Sequence, residues 1–189
     1  AAGLGTRLLP LTESVAKPAL PFVGVPVLCR VLDALGEAGV EEACVNLHHA
    51  PDSIRAVVAE RGSRLPQVRF SDETALLLGT AGALIPVKDW LAGAPVFLLL
   101  NGDCVHAIDH AELLRAHALS GASATLVTRS RGEAGFGALV VDEAGLVTSF
   151  GVKSEGRLDE RHFLSVQAVS PALLELLLRD RILLAQAFP

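Results

Sequence analysis

The chain has 189 residues, a length that suits one domain with a full core. Half of it is apolar (51%), a fifth is charged (20%), and the formal net charge is −5 with no block of Lys or Arg. That balance argues against a nucleic-acid or anionic-membrane partner, and apolar runs such as Pro95 to Leu100 are far too short to cross a bilayer.

The sequence opens on a turn, Ala1-Ala2-Gly3-Leu4-Gly5-Thr6-Arg7. Gly3 and Gly5 let the backbone take positive φ and approach a ligand closely. Successive N–H groups in such a turn form an anion-binding concavity. Arg7 and, ten residues on, Lys17 add fixed positive charge to an acidic protein. A phosphate turn of this kind follows a buried strand in α/β proteins. The chain is therefore expected to be a piece of a longer protein, cut at both ends, and to be poorly active or inactive alone. At its far end an apolar, helix-patterned stretch from Leu173 to Leu184 runs into Phe188-Pro189.

Further along, Val27, Leu28, Val31, Leu32 and Leu35 recur at helical spacing, which predicts a helix over 26–38 with Gly39 just past its end. Residues 43–47 read as a short strand, 52–60 as a second helix started by Pro51 and Asp52, and 67–70 as a strand. A short helix is expected over 80–87. The continuously apolar run 95–100 predicts a central strand covered on both faces. A helix follows over 109–119, then a strand over 122–128. Phe136 to Val141 and Leu146 to Phe150 flank Asp142-Glu143-Ala144-Gly145, the pattern of a β-hairpin. A strand over 163–169 and a helix from Pro171 complete the order. Alternating β and α over the first two-thirds predicts an α/β fold with a mostly parallel sheet, and the last third adds β-rich insertions. One domain is expected, divided into residues 1–130 and 131–189.

Asn101-Gly102-Asp103 ends the apolar run at 95–100. Ligands of open α/β sheets sit beyond the carboxyl ends of strands, and a carboxylate there suits Mg²⁺, which takes oxygen ligands and bridges phosphates. The same three residues also make an ordinary turn. Leu78-Gly79-Thr80-Ala81-Gly82-Ala83, preceded by Glu73, is small enough for a flat base to approach the backbone, although a helix N-terminus capped by Thr80 has the same composition. His48-His49, and His106 and His110 around Asp109, read as solvated or core histidines, since no third metal ligand is placed nearby. Cys29, Cys44 and Cys104 are odd in number and widely spaced, which fits a reducing, cytoplasmic setting rather than a disulfide framework. Neither a Gly-Lys-Ser/Thr phosphate loop nor a Gly-x-Ser-x-Gly elbow occurs.

Taken whole, Ala-Ala-Gly-x-Gly-Thr-Arg-Leu-x-Pro-Leu-Thr followed by Lys17-Pro18, Pro21 and Gly24-Val25-Pro26 resembles the sugar-1-phosphate nucleotidyltransferases, the NDP-sugar pyrophosphorylases. The segment 78–82 looks most like the mannose-1-phosphate guanylyltransferase-like branch. The resemblance implies a Rossmann-like three-layer fold and transfer of a nucleotidyl group from an NTP to a sugar 1-phosphate, with release of pyrophosphate and help from Mg²⁺. GTP with a mannose or heptose 1-phosphate is the first expectation, UTP with a hexose or muramic-type 1-phosphate the second. It further implies that Arg7, Lys17 and Asp103 are catalytic, with Asp103 also the metal ligand. Ala2, Gly3, Gly5, Thr6, Glu73, Gly79, Thr80, Gly82 and Asn101 would bind the nucleotide. Gly137 (after Gly135-Phe136), Lys153 and Gln167 would bind the sugar phosphate.

Three departures stand beside these matches. Val152 occupies the position of a glutamate that grips a sugar hydroxyl in relatives, Leu164-Ser165 replaces Thr-Gly, and the Trp-x-Asp-x-Gly-Thr stretch that carries a second metal-binding aspartate in relatives does not follow Phe163. They leave open a non-catalytic nucleotide-sugar-binding or assembly subunit of the same fold, and an enzyme acting on phosphocholine or another small phosphate. A homo-oligomer is compatible with the sequence.

Overall fold

The computed structural model describes residues 3–76, 78–130 and 137–179. In chain order the strands are β1 (Pro21–Phe22), β2 (Val25–Pro26), β3 (Glu42–Leu47), β4 (Gln67–Asp72), β5 (Phe97–Leu100), β6 (Ala124–Ser130), β7 (Gly137–Val141), β8 (Val147–Lys153) and β9 (Glu160–Val169). The α-helices are α1 (Val27–Glu37), α2 (Pro51–Arg61), α3 (Gly79–Gly82), α4 (Lys88–Ala92), α5 (His110–Ser120) and α6 (Ala172–Arg179).

Helix α1 forms where its periodicity places it, because Leu28, Val31, Leu32 and Leu35 bury one face. It stops at Gly39, whose φ of 85° is the left-handed conformation glycine tolerates. There the Val40 N–H reaches the Leu35 carbonyl and the Gly39 N–H the Gly36 carbonyl, both at 3.0 Å, which satisfies two orphan acceptors of the last turn. Pro51 opens α2 at a position where its missing N–H costs nothing. The helix expected over 80–87 is instead two short pieces, α3 and a 3₁₀ turn at Ile85–Val87, with α4 following directly. Pro86 explains the break, since it has no N–H to give and disfavours the α conformation at the residue before it.

The α/β class stands, but among the described residues the strands pair mostly antiparallel, in three separate sheets, rather than in one mostly parallel sheet. Strands β3 and β4 pair in parallel, from Glu42 opposite Gln67 to Leu47 opposite Asp72. The larger sheet is built around β9, which pairs antiparallel with β6 on one side and with β5 and β7 on the other. Thus β5 is not central: among the described residues it pairs only with β9. Its side chains are nevertheless covered on both faces, as its apolar run predicts. Phe97 and Leu99 pack with Leu91 of α4 and Leu174 of α6, while Leu98 and Leu100 pack with Leu113 of α5 and Val166. The longest strand took the centre because ten residues can be paired along both edges at once. A separate core joins α1, α2 and β3 through Leu28, Leu32, Val45, Leu47 and Ile54.

Beyond β6 the predicted hairpin is present as β7 and β8, closed by Asp142 to Gly145. The Asp142 carboxylate accepts the Leu146 N–H at 2.8 Å, and Gly145 takes φ 81°. Residues 131–136, including Gly135-Phe136, and those after 179 lie outside the described residues.

Candidate active site

A cleft of 1780 Å³ runs between the β3–β4 pair and the larger sheet. Consecutive residues of β3 and of β5 line it, so the edges of these strands, not their faces, form two of its walls. The opening turn, Lys17, the segment after β5 and part of β9 complete it.

The turn is held from behind. Gly5 takes φ 66° and precedes a 3₁₀ turn at Thr6–Leu8. Its carbonyl accepts the Leu8 N–H at 2.9 Å and the Thr12 hydroxyl at 2.8 Å. A Cβ at Gly5 would sit 3.0 Å from Thr12 Cγ2, so both space and conformation require glycine here. Thr12 is fully buried, and its own carbonyl lies 2.6 Å from His49 Nε2, which must therefore donate. The Ala16 N–H donates to Ser53 Oγ at 2.9 Å. These bonds stitch the turn to the corner between β3 and α2. Gly3, Gly5, Thr6 and Arg7 all line the cleft. Arg7 is exposed and makes no ion pair or hydrogen bond with any described residue. Ala2 lies outside the described residues.

Lys17 begins a second 3₁₀ turn, Lys17–Ala19, stiffened by Pro18. Its Nζ lies 2.7 Å from Asp103 Oδ2, which joins the two charged groups that the sequence places far apart. Burial alone would raise the Asp103 pKa. The hydrogen bond and charge of the Lys17 ammonium, with the Cys104 thiol and a backbone N–H, outweigh burial and hold that carboxyl below its usual range. Burial and then the Asp103 charge push the Cys104 thiol up, so it stays protonated and unreactive at neutral pH. Asn101 lines the cleft and donates its N–H to the Ser165 carbonyl at 3.2 Å.

The small-residue segment is split. Gly79, at φ 72°, lines the cleft. Gly82 does not; a Cβ there would meet Leu78 Cβ at 3.1 Å, which makes it a packing glycine. The side chain of Thr80 lies outside what is described. Glu73 is 2% exposed and does not line the cleft. Its carboxylate accepts from Asn46 Nδ2 at 3.1 Å and from the Leu78 N–H at 3.2 Å, and its carbonyl meets His48 Nδ1 at 2.6 Å. Glu73 therefore fixes the start of the segment rather than facing a ligand.

On the sugar side, Gln167 is buried and lines the cleft. Gly137 and Lys153 are paired across the β7–β8 ladder and are both exposed, but neither lines the cleft walls. Phe150, Gly151, Phe163 and Ser165 do, and of these the sequence reading assigned none to a ligand. The side chain of Val152 is not described. His106 and His110 face each other with ring centroids 5.2 Å apart, His110 at the first position of α5 and His106 in the loop before it. They are not both helical, and no group of three metal-ligating side chains exists among the described residues. The same residues hold no disulfide, and none of their helices is long and apolar enough to cross a membrane.

Cations gathered at a glycine turn, opposite a carboxylate at a strand's carboxyl end, place the chain among nucleotide-handling α/β proteins. Comparison with known proteins narrows this further. Residues 1–157 match the Nucleotidyl transferase family, and the chain belongs to it. It is 33% identical over 179 residues to probable mannose-1-phosphate guanylyltransferase 1 of Oryza sativa subsp. japonica, covering 92% of this chain and 49% of that protein. It is 32% identical over 154 residues to mannose-1-phosphate guanylyltransferase of Mycobacterium tuberculosis, covering 81% of this chain and 42% of that one. The chain thus spans about half the length of the curated relatives it matches. Among solved structures, HddC from Yersinia pseudotuberculosis superposes with a TM-score of 0.75 at 24% identity, over 93% of this chain and 76% of that one. HddC complexed with GMP-PN gives a TM-score of 0.73 at 23% identity, with the same coverage. These two likenesses show that the chain shares the fold of HddC.

Proposed function

We propose that the chain is the nucleotide-binding and catalytic part of an enzyme that transfers a nucleotidyl group from an NTP to a sugar 1-phosphate, with release of pyrophosphate. The observation that carries this reading is the Lys17–Asp103 pair at 2.7 Å, which lines the same cleft as Arg7, a cation with no ion pair among the described residues. Family membership and the guanylyltransferase relatives favour GTP as donor and mannose 1-phosphate, or a heptose 1-phosphate, as acceptor. The HddC complex with GMP-PN points to the same kind of donor. Residues 1–130 form the nucleotide half in this reading and 131–189 the sugar half. The free cysteines suit a reducing cytoplasm.

In the reaction a phosphate oxygen of the acceptor attacks the α-phosphorus in line, and pyrophosphate leaves. No covalent intermediate on the protein is needed, so catalysis is positioning and charge neutralisation. The glycine turn offers backbone N–H groups to the triphosphate. Arg7 holds the β- and γ-phosphates, and Lys17 steadies the phosphates near the α-phosphorus. Gly79 lets the base approach the backbone, and Gln167 lies on the acceptor side. Asp103 is the group that would hold Mg²⁺. One carboxylate plus substrate phosphates is a coordination Mg²⁺ accepts, and a depressed pKa keeps Asp103 ionised for it. When bound, the ion would clamp phosphate charge. Lys17 must release Asp103 in part as the phosphates arrive, and their charge gives the ammonium a new partner.

The test is pyrophosphate release by the complete protein with GTP and mannose 1-phosphate, against a panel of other pairs. Asp103→Asn and Arg7→Ala should each lower kcat/KM by about 10² or more, or roughly 2.7 kcal/mol of transition-state stabilisation. Full activity in either variant would refute the assigned roles. Calorimetric binding of the NTP without turnover of any pair would support the non-catalytic subunit instead.

A further inference from the structure

Ser165 sits in the cleft with a backbone that does not suit its side chain. It takes φ 58°, in the left-handed region that favours glycine, in the middle of the longest strand. Among the described residues, the other two non-glycine residues with positive φ, Val23 and Ala50, lie at a tight turn and a helix start. The cause is a bulge. On β6 the register passes from Leu126 to Thr128, while on β9 it passes from Gln167 to Phe163, so Leu164 to Val166 stand opposite the single residue Val127. Ser165 is at the centre of that bulge, and bulges re-aim side chains. The Asn101 N–H donates to the Ser165 carbonyl at 3.2 Å, which ties the bulge to the segment that carries Asp103. Ser165 lines the cleft with Asn101, Phe163 and Gln167, and its hydroxyl makes no hydrogen bond with any described residue.

A strained residue persists where the surrounding structure holds it, and such residues cluster at ligand sites. Glycine would relieve the backbone here, and what serine adds is a hydroxyl with no hydrogen-bond partner among the described residues. A hydroxyl both donates and accepts. That suits a polyhydroxylated ring better than a triphosphate, whose charge calls for Arg7 and Lys17. The glycine turn and Gly79 come from the side of β3 and β4, whereas Ser165 comes from β9. We infer that Ser165 Oγ is a specificity-determining hydrogen-bond partner for a ring hydroxyl of the acceptor. This rests on the sugar 1-phosphate reading above.

Two variants of the complete protein separate the hydroxyl from the backbone. Ser165→Ala keeps Cβ and the bulge but removes Oγ; Ser165→Gly also relieves the backbone. Both should raise the acceptor KM by about tenfold, the effect of one lost hydrogen bond, with the NTP KM unchanged. Both should narrow the discrimination between sugar 1-phosphates that differ at a single hydroxyl. The melting temperature of Ser165→Gly should equal or exceed that of the parent, which excludes misfolding as the cause. An unchanged acceptor KM and unchanged acceptor ranking in Ser165→Ala would overturn the inference, as would a shift in the NTP KM alone. If the complete parent protein turns over no pair, the transfer reading falls first. Calorimetry with mannose 1-phosphate then decides Ser165 separately: tighter binding by the parent than by Ser165→Ala supports it, and equal or absent binding overturns it.

Discussion

Replacing Gly36 by alanine sets two opposing effects against each other. Gly36 lies in the last turn of α1, where helix propensity alone favours alanine by up to about 1 kcal/mol. The local packing opposes it. A Cβ at Gly36 would stand 2.9 Å from the Leu65 carbonyl carbon and closer still to its oxygen, whereas carbon–carbon contacts are comfortable at about 3.5 Å or more. The carbonyl is not free to swing away, because Arg61 Nη2 donates to it. The Arg61 side chain is 1% exposed and also binds Asp33 Oδ1 at 2.8 Å, the Arg64 carbonyl at 2.8 Å and the Pro66 carbonyl at 3.4 Å. Relief of the clash therefore strains a buried guanidinium. Overpacking costs about 1–3 kcal/mol, and a weakened bond to a charged donor adds about 1 kcal/mol more. Set against the helical gain, the net loss is about 1–3 kcal/mol. For a domain of this size that lowers Tm by about 2–12 °C. Urea unfolding should show a lower midpoint at unchanged slope. A Gly36→Ala midpoint at or above that of the parent would refute the reasoning.

Acid should weaken the fold before its carboxylates titrate. Burial pushes the His106 and His110 imidazoles below their ordinary 6.5, for His110 with help from the His106 charge and against that of Asp109. With folded pKa values depressed, the unfolded chain takes up protons first, so stability declines as pH falls below about 6.5 until the folded imidazoles are also charged. His110→Leu removes a 2% exposed ring whose Nε2 has no partner among the described residues. It should flatten the dependence of the urea midpoint between about pH 7 and pH 5 and leave stability at pH 7 within about 1 kcal/mol; an unaltered slope would count against this. Asp109 caps α5 through a 2.9 Å bond from the Glu112 N–H, so Asp109→Ala should cost about 1 kcal/mol while Asp109→Asn keeps most of it, as thermal melts would show. Equal losses in the two variants would deny the cap its role.

The elements were legible where a local pattern fixes them. The periodic face of α1 and its glycine stop, the proline start of α2 and the turn at Asp142 to Gly145 follow from neighbours in sequence. The apolar run of β5 correctly announced cover on both faces. It could not announce the strand beside it, because pairing with β9 depends on residues 166–169, far along the chain. The site divides in the same way. Arg7, Lys17 and Asp103 were visible as charges in a known order, and the cleft gathers all three. The Thr12–His49 stitch, the turning of Glu73 toward Asn46, and the buried Arg61 gave no sequence signal, since each is a hydrogen bond between distant segments. Ser165 was visible only as a departure from Thr-Gly; its left-handed backbone and its bulge are what give that departure physical meaning.

Trp90 on α4 donates its Nε1 hydrogen to Glu42 Oε2 at 3.1 Å, and the Arg69 guanidinium sits 4.4 Å over its ring. Arg69 in turn holds Glu42 at 2.8 Å, so a helix packed against the larger sheet is clasped to the smaller one at a single indole. That indole also lines the cleft, and it is the one tryptophan in the sequence. The protein thus carries a built-in fluorophore at the seam between the β3–β4 pair and the larger sheet. Those contacts set the charge and solvent around the indole, so its emission reports on whether the Trp90–Glu42–Arg69 clasp is intact.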